Sequence, residues 1–552
     1  MSANIKASVD GTRAIIGVGG VDQMTVSNAG VVTANSFVGA ISGNASSATA
    51  IATGSTTART LANRFADVVN VKDFGAVGDG VADDTAAIQA AINYAGGISN
   101  NPTSVYIPST QNGYRVTSRL NISSGRIYLY GDGFTTPGVL TTSKSSELFF
   151  DHAGIGILIY QVSGTTIDGI STRRNQPTPT SGWTPNALDF DIVVTASNDT
   201  TIQNCLIRNA TKGIRGYSIG YGRLNLFNIK MQAFDIGIEI DEVFDVVRLN
   251  NIHIWPFWSV DSNVTTYTKT NLIGINSLRN DNPNIVNIFT WGAKYGIRCG
   301  SGGGVSPFTS RALIVNAGFD NVGDNGAGLF IDANLTSVQI ENSYSFDGLN
   351  GIYIAANNTR LTVSNFRSSA NKASGIAVAG SGNKVQLSTI TIDGFNTNNT
   401  AGTTAILAVT NNEVFVDGKI IASTTSGEPT VNSFVSVESD EWFNYVPLVF
   451  SETGSITSYT SSGKVRRQGN TLRYYITITI TNAGTGAGFL GVSMPYFCLY
   501  NHSSNGREET FSETLNGILP TASSQLLVRK YNATSVVSTG KIITLNGEYI
   551  IQ

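Results

Sequence analysis

The chain has 552 residues, of which 41% are apolar and only 13% charged, with 59 glycines and a net charge of −3. So much apolar content excludes a disordered chain, and the lack of basic excess excludes a nucleic-acid or anionic-membrane surface. Low charge with abundant Gly, Ser, Thr and Asn reads as an all-β protein of many short strands and turns.

Cys205, Cys299 and Cys498 stand far apart, with no histidine at metal spacing, so neither a disulfide framework nor a metal site is expected, and no cofactor is implied. The N-terminus lacks a basic stretch followed by an apolar one, and no run of 18 apolar residues exists. The expectation is a soluble protein made in a cytosol.

Residues 1–68 are small and polar, and ISGNASSATAIATGSTTA (41–58) is nearly low-complexity. Such a segment cannot bury a core by itself, so it reads as a floppy leader unless another chain holds it. In VNVKDFGAVGDGVADDTAAIQAAINYAGG (69–97), Val71 and Phe74 alternate like a short strand. Asp83 or Asp84 can cap a helix over 83–95, whose Ile88, Ala91, Ile92 and Ala95 share one face. A one-sided helix in a β-rich chain suits a cap over the open end of a repeat stack.

A two-part repeat fills the centre. Its first part is apolar-x-Asn: IQNCLI (202–207), LFNIKM (226–231), LNNIHI (249–254), IVNIFT (285–290), IVNAGF (314–319), IENSYS (340–345) and VSNFRS (363–368). Its second part is Gly-Ile/Leu-x, starting at Gly213, Gly237, Gly274, Gly296, Gly328, Gly351 and Gly375. Asn and Gly are nine residues apart in four of the seven pairs, and uninterrupted repeats run about 22 to 24 residues. That period, with two short strands per unit, predicts a solenoid, and the absence of a Leu-rich consensus favours a parallel β-helix. Coils stack about 4.8 Å apart, so each Asn would lie under the next in a buried corner, sharing amide hydrogen bonds. The domains expected are 1–68, 69–437 (the β-helix) and 438–552, a β-sandwich in which TLRYYITITIT (471–481) is a half-buried antiparallel strand. NAGTGAG (482–488) and NGE (546–548) read as turns.

VKDFGAVGDGVADDTAAIQAAI (71–92) closely resembles the opening motif of the pectate-lyase-like β-helices of phage tailspikes and polysaccharide depolymerases. GSTTARTLANRFADVVN (54–70) resembles the linker before that motif in tail proteins, and SGKVRRQGNTLRYYITITITNAGTGAGFLGVSMP resembles a terminal β-sandwich of tail proteins. The resemblance implies a right-handed parallel β-helix, a homotrimer, and a virion location with the N-terminus on the tail or an adaptor protein. It also implies a bacterial capsular or O-antigen polysaccharide as partner. Polygalacturonases of this fold carry Asn-Thr-Asp, an Asp-Asp pair, Gly-His-Gly and Arg-Ile-Lys. None stands in the repeat region, so that activity is not carried over.

The residue after Gly-Ile should face outward, giving the column Arg215, Glu239, Asn276, Arg298, Phe330 and Tyr353, with Tyr217 and Asp241 two positions on. Glu239 and Asp241, at i and i+2, would project about 6.5–7 Å apart, within the range of glycosidase carboxylate pairs. An ion pair with Arg215 or Arg298 is the structural alternative. Asp245, Glu341 and His253 are reserve catalytic candidates. Arg215, Tyr217, Trp255, Trp258 and Arg298 are candidate substrate contacts, the two tryptophans from an insertion (255–269) that also holds Phe257 and Tyr267. His253 shares an outward column with Lys230, Phe289, Tyr344 and Arg367, residue types that suit a uronic-acid lyase. The carboxylate pair favours an endo-acting glycoside hydrolase; the alternatives are a lyase and a non-catalytic receptor-binding spike.

Overall fold

The computed structural model describes residues 4–7, 13–18, 21–27, 32–34, 49–97, 103–135, 144–302, 311–400, 403–409, 411–423, 435–438, 442–468, 471–510, 512–532 and 534–551. These divide into two compact units, Met1–Asp67 and Val68–Gln552.

In the first unit, Asn4–Ala7, Arg13–Val18, Val21–Ser27 and Val32–Ala34 form an antiparallel sheet in chain order. Thr49–Ile51 pairs with Ala58–Thr60. Composition had suggested a leader without order of its own. The order seen here is backbone pairing, which requires no large side chains. The low-complexity run before Thr49, residues 41–48, lies outside the described residues.

The second unit begins with a parallel β-helix. Val68–Asn70 pairs with Thr103–Ile107, and Val71–Phe74 is a 3-10 turn where a strand was expected. Asn70 caps that turn by accepting a hydrogen bond from the Lys72 amide at 3.0 Å, and Gly75 closes it at φ 97°. One coil shows the plan. Within Asn225–Phe244, residues 225–227 lie on a first sheet, 229–231 on a second and 236–241 on a third. Each pairs in parallel with the same positions of the next coil: Asn225 with Arg248, Lys230 with His253, Glu239 with Asn276.

Two repeat positions now have physical reasons. The repeat asparagines, Asn204, Asn228, Asn251, Asn287, Asn316, Asn342 and Asn365, adopt φ between 48° and 58°, the left-handed conformation that Asn tolerates better than other non-glycine residues. They turn the chain from the first sheet to the second. The amide ladder exists, as between Asn228 and Asn204 (2.8 Å) and Asn316 and Asn287 (3.1 Å), but at an exposed corner rather than the buried one expected. The repeat glycines have ordinary φ. An added Cβ on Gly213, Gly237, Gly274 or Gly296 would strike the carbonyl of the glycine one coil further on, so this column must be side-chain-free. Next to it, Ile214, Ile238, Ile275, Ile297, Leu329, Ile352 and Ile376 stack inside, each at 0% exposure.

The helix Thr85–Gly97 covers the open end with Ile88, Ala91, Ile92 and Ala95 buried. Its Gln89 side chain accepts from the Asn121 amide (2.7 Å) and donates to the Asn121 carbonyl (2.9 Å), satisfying a strand that has no preceding coil. Asp83 accepts from the Thr85 amide at the helix start, whereas Asp84 turns back to accept from Val77 and Gly78.

The last strand of the helix stack is Val435–Glu438. Beyond it, nine described strands form one antiparallel sheet whose edge strands, Phe443–Tyr445 and Val449–Thr453, are successive in the chain. The sheet therefore curls on itself, and the Val449 amide donates to the Tyr459 hydroxyl at 3.1 Å. Leu472, Tyr474, Ile476, Ile478 and Ile480 alternate inward as expected. The expected turn at 546–548 is instead the middle of Lys541–Ile550, where Gly547 lies against the Tyr474 ring.

Candidate functional site

The third sheet carries the predicted column in register: Arg215, Glu239, Asn276, Arg298, Phe330 and Tyr353 are successive neighbours. The side chains are tied to one another. Arg215 pairs with Glu239 at 2.8 Å, Asn276 donates to the other Glu239 oxygen at 2.9 Å, and Arg298 pairs with Asp332 at 2.7 Å. Tyr217 lies beneath the Arg215 guanidinium, 4.3 Å from ring centre to Cζ. Glu239 and Asp241 project outward from the strand, yet their exposures are only 8% and 7%. The Arg279 amide donates to Asp241 at 3.3 Å, and Gly302 packs on the same carboxylate so closely that a Cβ would collide. Gly302, at the start of the second insertion, thus covers Asp241, while Arg215 and Asn276 hold Glu239. A glycosidase pair needs both carboxyls open to the sugar. Here both are covered, and Glu239 is engaged on each oxygen.

Asp245 stands apart from the pair, exposed on a turn and held by Arg223 at 2.6 Å. Glu341 is an exposed residue of the first sheet, between Val315 and Ser364, and contributes to neither surface described here.

The second sheet presents a different surface. Its outward row runs Lys230, His253, Phe289, Gly318, Tyr344 and Arg367 in register. Two positions on in each coil stand Trp255, Trp291, Asp320 and Phe346. The His253 ring meets Phe289 edge-on at 5.1 Å and Phe257 at 5.5 Å, and Trp255 lies 5.3 Å from Trp291. Tyr344 leans back over Gly318, where a Cβ would fall 2.7 Å from the ring. Trp255 and Tyr344 remain 39% and 38% exposed, giving an aromatic band along the helix axis with Lys230 and Arg367 towards its ends.

Burial first, and the Lys230 charge second, hold the His253 imidazole below its ordinary pKa of 6.5, so it is neutral at neutral pH. Its Nε2 is buried and has no hydrogen-bond partner among the described residues. Tyr344 is shifted the other way, by burial and then by Asp320. Register separates Tyr344 from His253 by three rungs, about 14 Å at strand spacing, so the two do not serve one reacting atom.

The first insertion is divided by the structure. Trp255 and Phe257 join the His253 surface. Trp258 and Tyr267 pack with Trp183, Phe234 and Val264 in a satellite core beneath the helix Ser262–Asn271. Trp258 is therefore a packing residue, 5.8 Å from Phe234, and the Tyr267 hydroxyl donates to Asp235 at 2.8 Å. That helix was not expected, because its polar face of Thr and Asn hides the helical period. Trp291 and Phe346 were missed as band members, although the parity that placed Phe289 and Tyr344 outward places them outward too. Among the described residues, no three His, Cys, Asp or Glu side chains converge as metal ligands, and no helix is long and apolar enough to cross a membrane.

Residues 68–298 match the family model described as rhamnogalacturonase A/epimerase, pectate lyase-like. Mannuronan C5-epimerase AlgE5 of Azotobacter vinelandii is 49% identical over 72 residues, covering 12% of this chain and 7% of that protein. Alginate lyase 7 of the same organism is 33% identical over 139 residues, 23% of this chain and 16% of that protein. The chain thus spans a small part of the length of the curated relatives it matches. Among solved structures, a tailspike protein of E. coli bacteriophage HK620 covers 91% of this chain and 97% of its own at 11% identity and a TM-score of 0.48.

Proposed function

We propose that this chain, whose residues 68–298 form a pectate-lyase-like β-helix, is a phage tailspike that binds and depolymerises a bacterial capsular or O-antigen polysaccharide. The observation that carries the polysaccharide reading is the band of Trp255, Phe289, Trp291, Tyr344 and Phe346 on the second sheet. Partly exposed rings in a row on a rigid scaffold match the apolar faces of successive sugars. The tailspike reading rests on the opening motif at 71–92, the linker before it and the C-terminal segment. With it come a homotrimer, attachment to the virion through the N-terminus, and assembly in the host cytoplasm.

The geometry weighs the two cleavage chemistries differently. Hydrolysis by Glu239 and Asp241 requires Gly302 and Arg279 to move aside and Arg215 to release Glu239. Elimination needs a neutral base beside a cation that holds a uronate carboxylate, and His253 next to Lys230 offers both in adjacent coils, with only the buried Nε2 to be uncovered. Elimination at His253 is the better-supported chemistry, with hydrolysis at the pair as the second reading.

The test is incubation of the full chain with a strain panel of surface polysaccharides, following reducing ends and absorbance near 235 nm, where the unsaturated uronate product absorbs. Both signals rising, and both lost in His253→Gln, is the expected result. Reducing ends without absorbance, lost in Glu239→Gln and Asp241→Asn, would instead establish hydrolysis. Binding without either signal would leave a receptor-binding spike and remove the enzyme reading.

A further inference from the structure

Beside the aromatic band lies a cavity of about 400 Å³ lined by Thr266, Lys269, Thr270, Lys294, Asp324 and Asn325. It belongs to neither carboxylate pair nor histidine, and it is built rather than incidental. Gly323 packs on the Lys269 carbonyl and Gly326 on the Lys294 carbonyl so tightly that neither tolerates a Cβ. The turn between these glycines is thereby seated against both lysine backbones, with Asp324 and Asn325 at its tip. Lys269 donates to Asn321 at 2.9 Å and stands 3.9 Å from Asp324, which Lys372 pairs at 2.6 Å. Lys294 has no ion pair among the described residues; its ammonium lies 5.2 Å from the Tyr295 ring. Lys269 and Lys294 line the cavity with Asp324, whose charge Lys372 meets from outside the lining, so positive charge is in excess around a space of monosaccharide size.

We propose that this pocket binds an anionic substituent of the glycan, a carboxylate, phosphate or sulfate on a sugar, with Lys294 and Lys269 on the anion. Asp324 and Asn325 accept from the neighbouring sugar hydroxyls. The position fits this role. Lys294 follows Trp291 by three residues, and Gly292, at φ 67°, bends the chain from the band into the pocket. A chain stacked on Trp255 and Trp291 would direct a side substituent there. The inference rests on the reading that a glycan lies along the second sheet, and it adds a second anion site on that glycan, separate from the carboxylate at Lys230.

The experiment is saturation-transfer NMR of the full chain with D-glucuronate, its methyl ester and inorganic sulfate. Glucuronate should receive saturation and the ester should not. Lys294→Ala should weaken glucuronate binding about tenfold, the loss of one charge-assisted hydrogen bond, while Lys294→Arg retains it. An unchanged melting temperature in both variants shows that the fold is intact. Equal binding of acid and ester, no glucuronate binding, or wild-type binding by Lys294→Ala would each overturn the proposal. Sulfate bound without glucuronate would mean a free inorganic anion site and would overturn the sugar-borne substituent. Glucuronate binding with no depolymerisation of any panel glycan sinks the enzymatic reading alone; depolymerisation without glucuronate binding sinks the pocket alone.

Discussion

At the scale of single residues, the repeat is written by backbone constraint as much as by hydrophobicity. Asn287 sits at φ 56°, where a β-branched residue is strained. Asn287→Val is expected to lower stability by about 1–3 kcal/mol, and Asn287→Gly by much less, read as melting temperatures. Gly237 tells the complementary story. Its Cβ would meet the Gly274 carbonyl and come within 3.0 Å of Ile254, so Gly237→Ala overpacks the coil and is expected to destabilise by about 1–3 kcal/mol. The repeat glycine and asparagine were both legible as letters. The reasons for them were not, because a close approach between coils exists only once the coils are stacked.

At the scale of elements, the two insertions and the cap decide what is exposed. The capping helix was legible from four apolar residues on one face, and Ile92→Ala is expected to cost about 2–5 kcal/mol by opening a cavity under it. The aromatic insertion was legible only as a set. Its division between Trp255 and Trp258 yields a discriminating test. Trp258→Ala should lower the melting temperature by emptying the satellite core, with glycan binding reduced only in proportion to unfolding. Trp255→Ala should leave the melting temperature nearly unchanged and weaken glycan binding, measured by calorimetry, by about 1–3 kcal/mol, by analogy with stacked bases. The reverse pattern would show that the band on the second sheet is not the binding surface.

At the scale of the whole molecule, the three histidines of the chain act alike. His152, His253 and His502 are each held below the ordinary pKa of 6.5, with burial the first cause in every case. A histidine with a depressed pKa in the folded state binds fewer protons there than when unfolded. Its contribution is whole above the unfolded value and shrinks as pH falls from about 6.5 through the folded value. Denaturation midpoints should therefore fall between pH 7 and pH 5, and the dependence should flatten in a variant with all three replaced by Gln. An elimination reaction at His253 should decline over the same acid limb, since protonation removes the base.

The sequence by itself determined the solenoid, its capping helix and the antiparallel C-terminal region, because period, parity and turn residues are local properties that survive without coordinates. It also determined which residues share a column, since register follows from the repeat. Only the tertiary structure decided which columns reach solvent. Glu239 and Asp241 point outward by parity and are nevertheless buried, Glu239 by its pairing with Arg215 and Asn276 and Asp241 under Gly302, a contact no repeat table contains. His253 points outward by the same rule and lies in the aromatic band, its Nε2 buried among the rings. The lysine pocket joins residues 266–270, 294 and 324–325 from three coils, and a charge cluster assembled across coils leaves no contiguous trace in the chain.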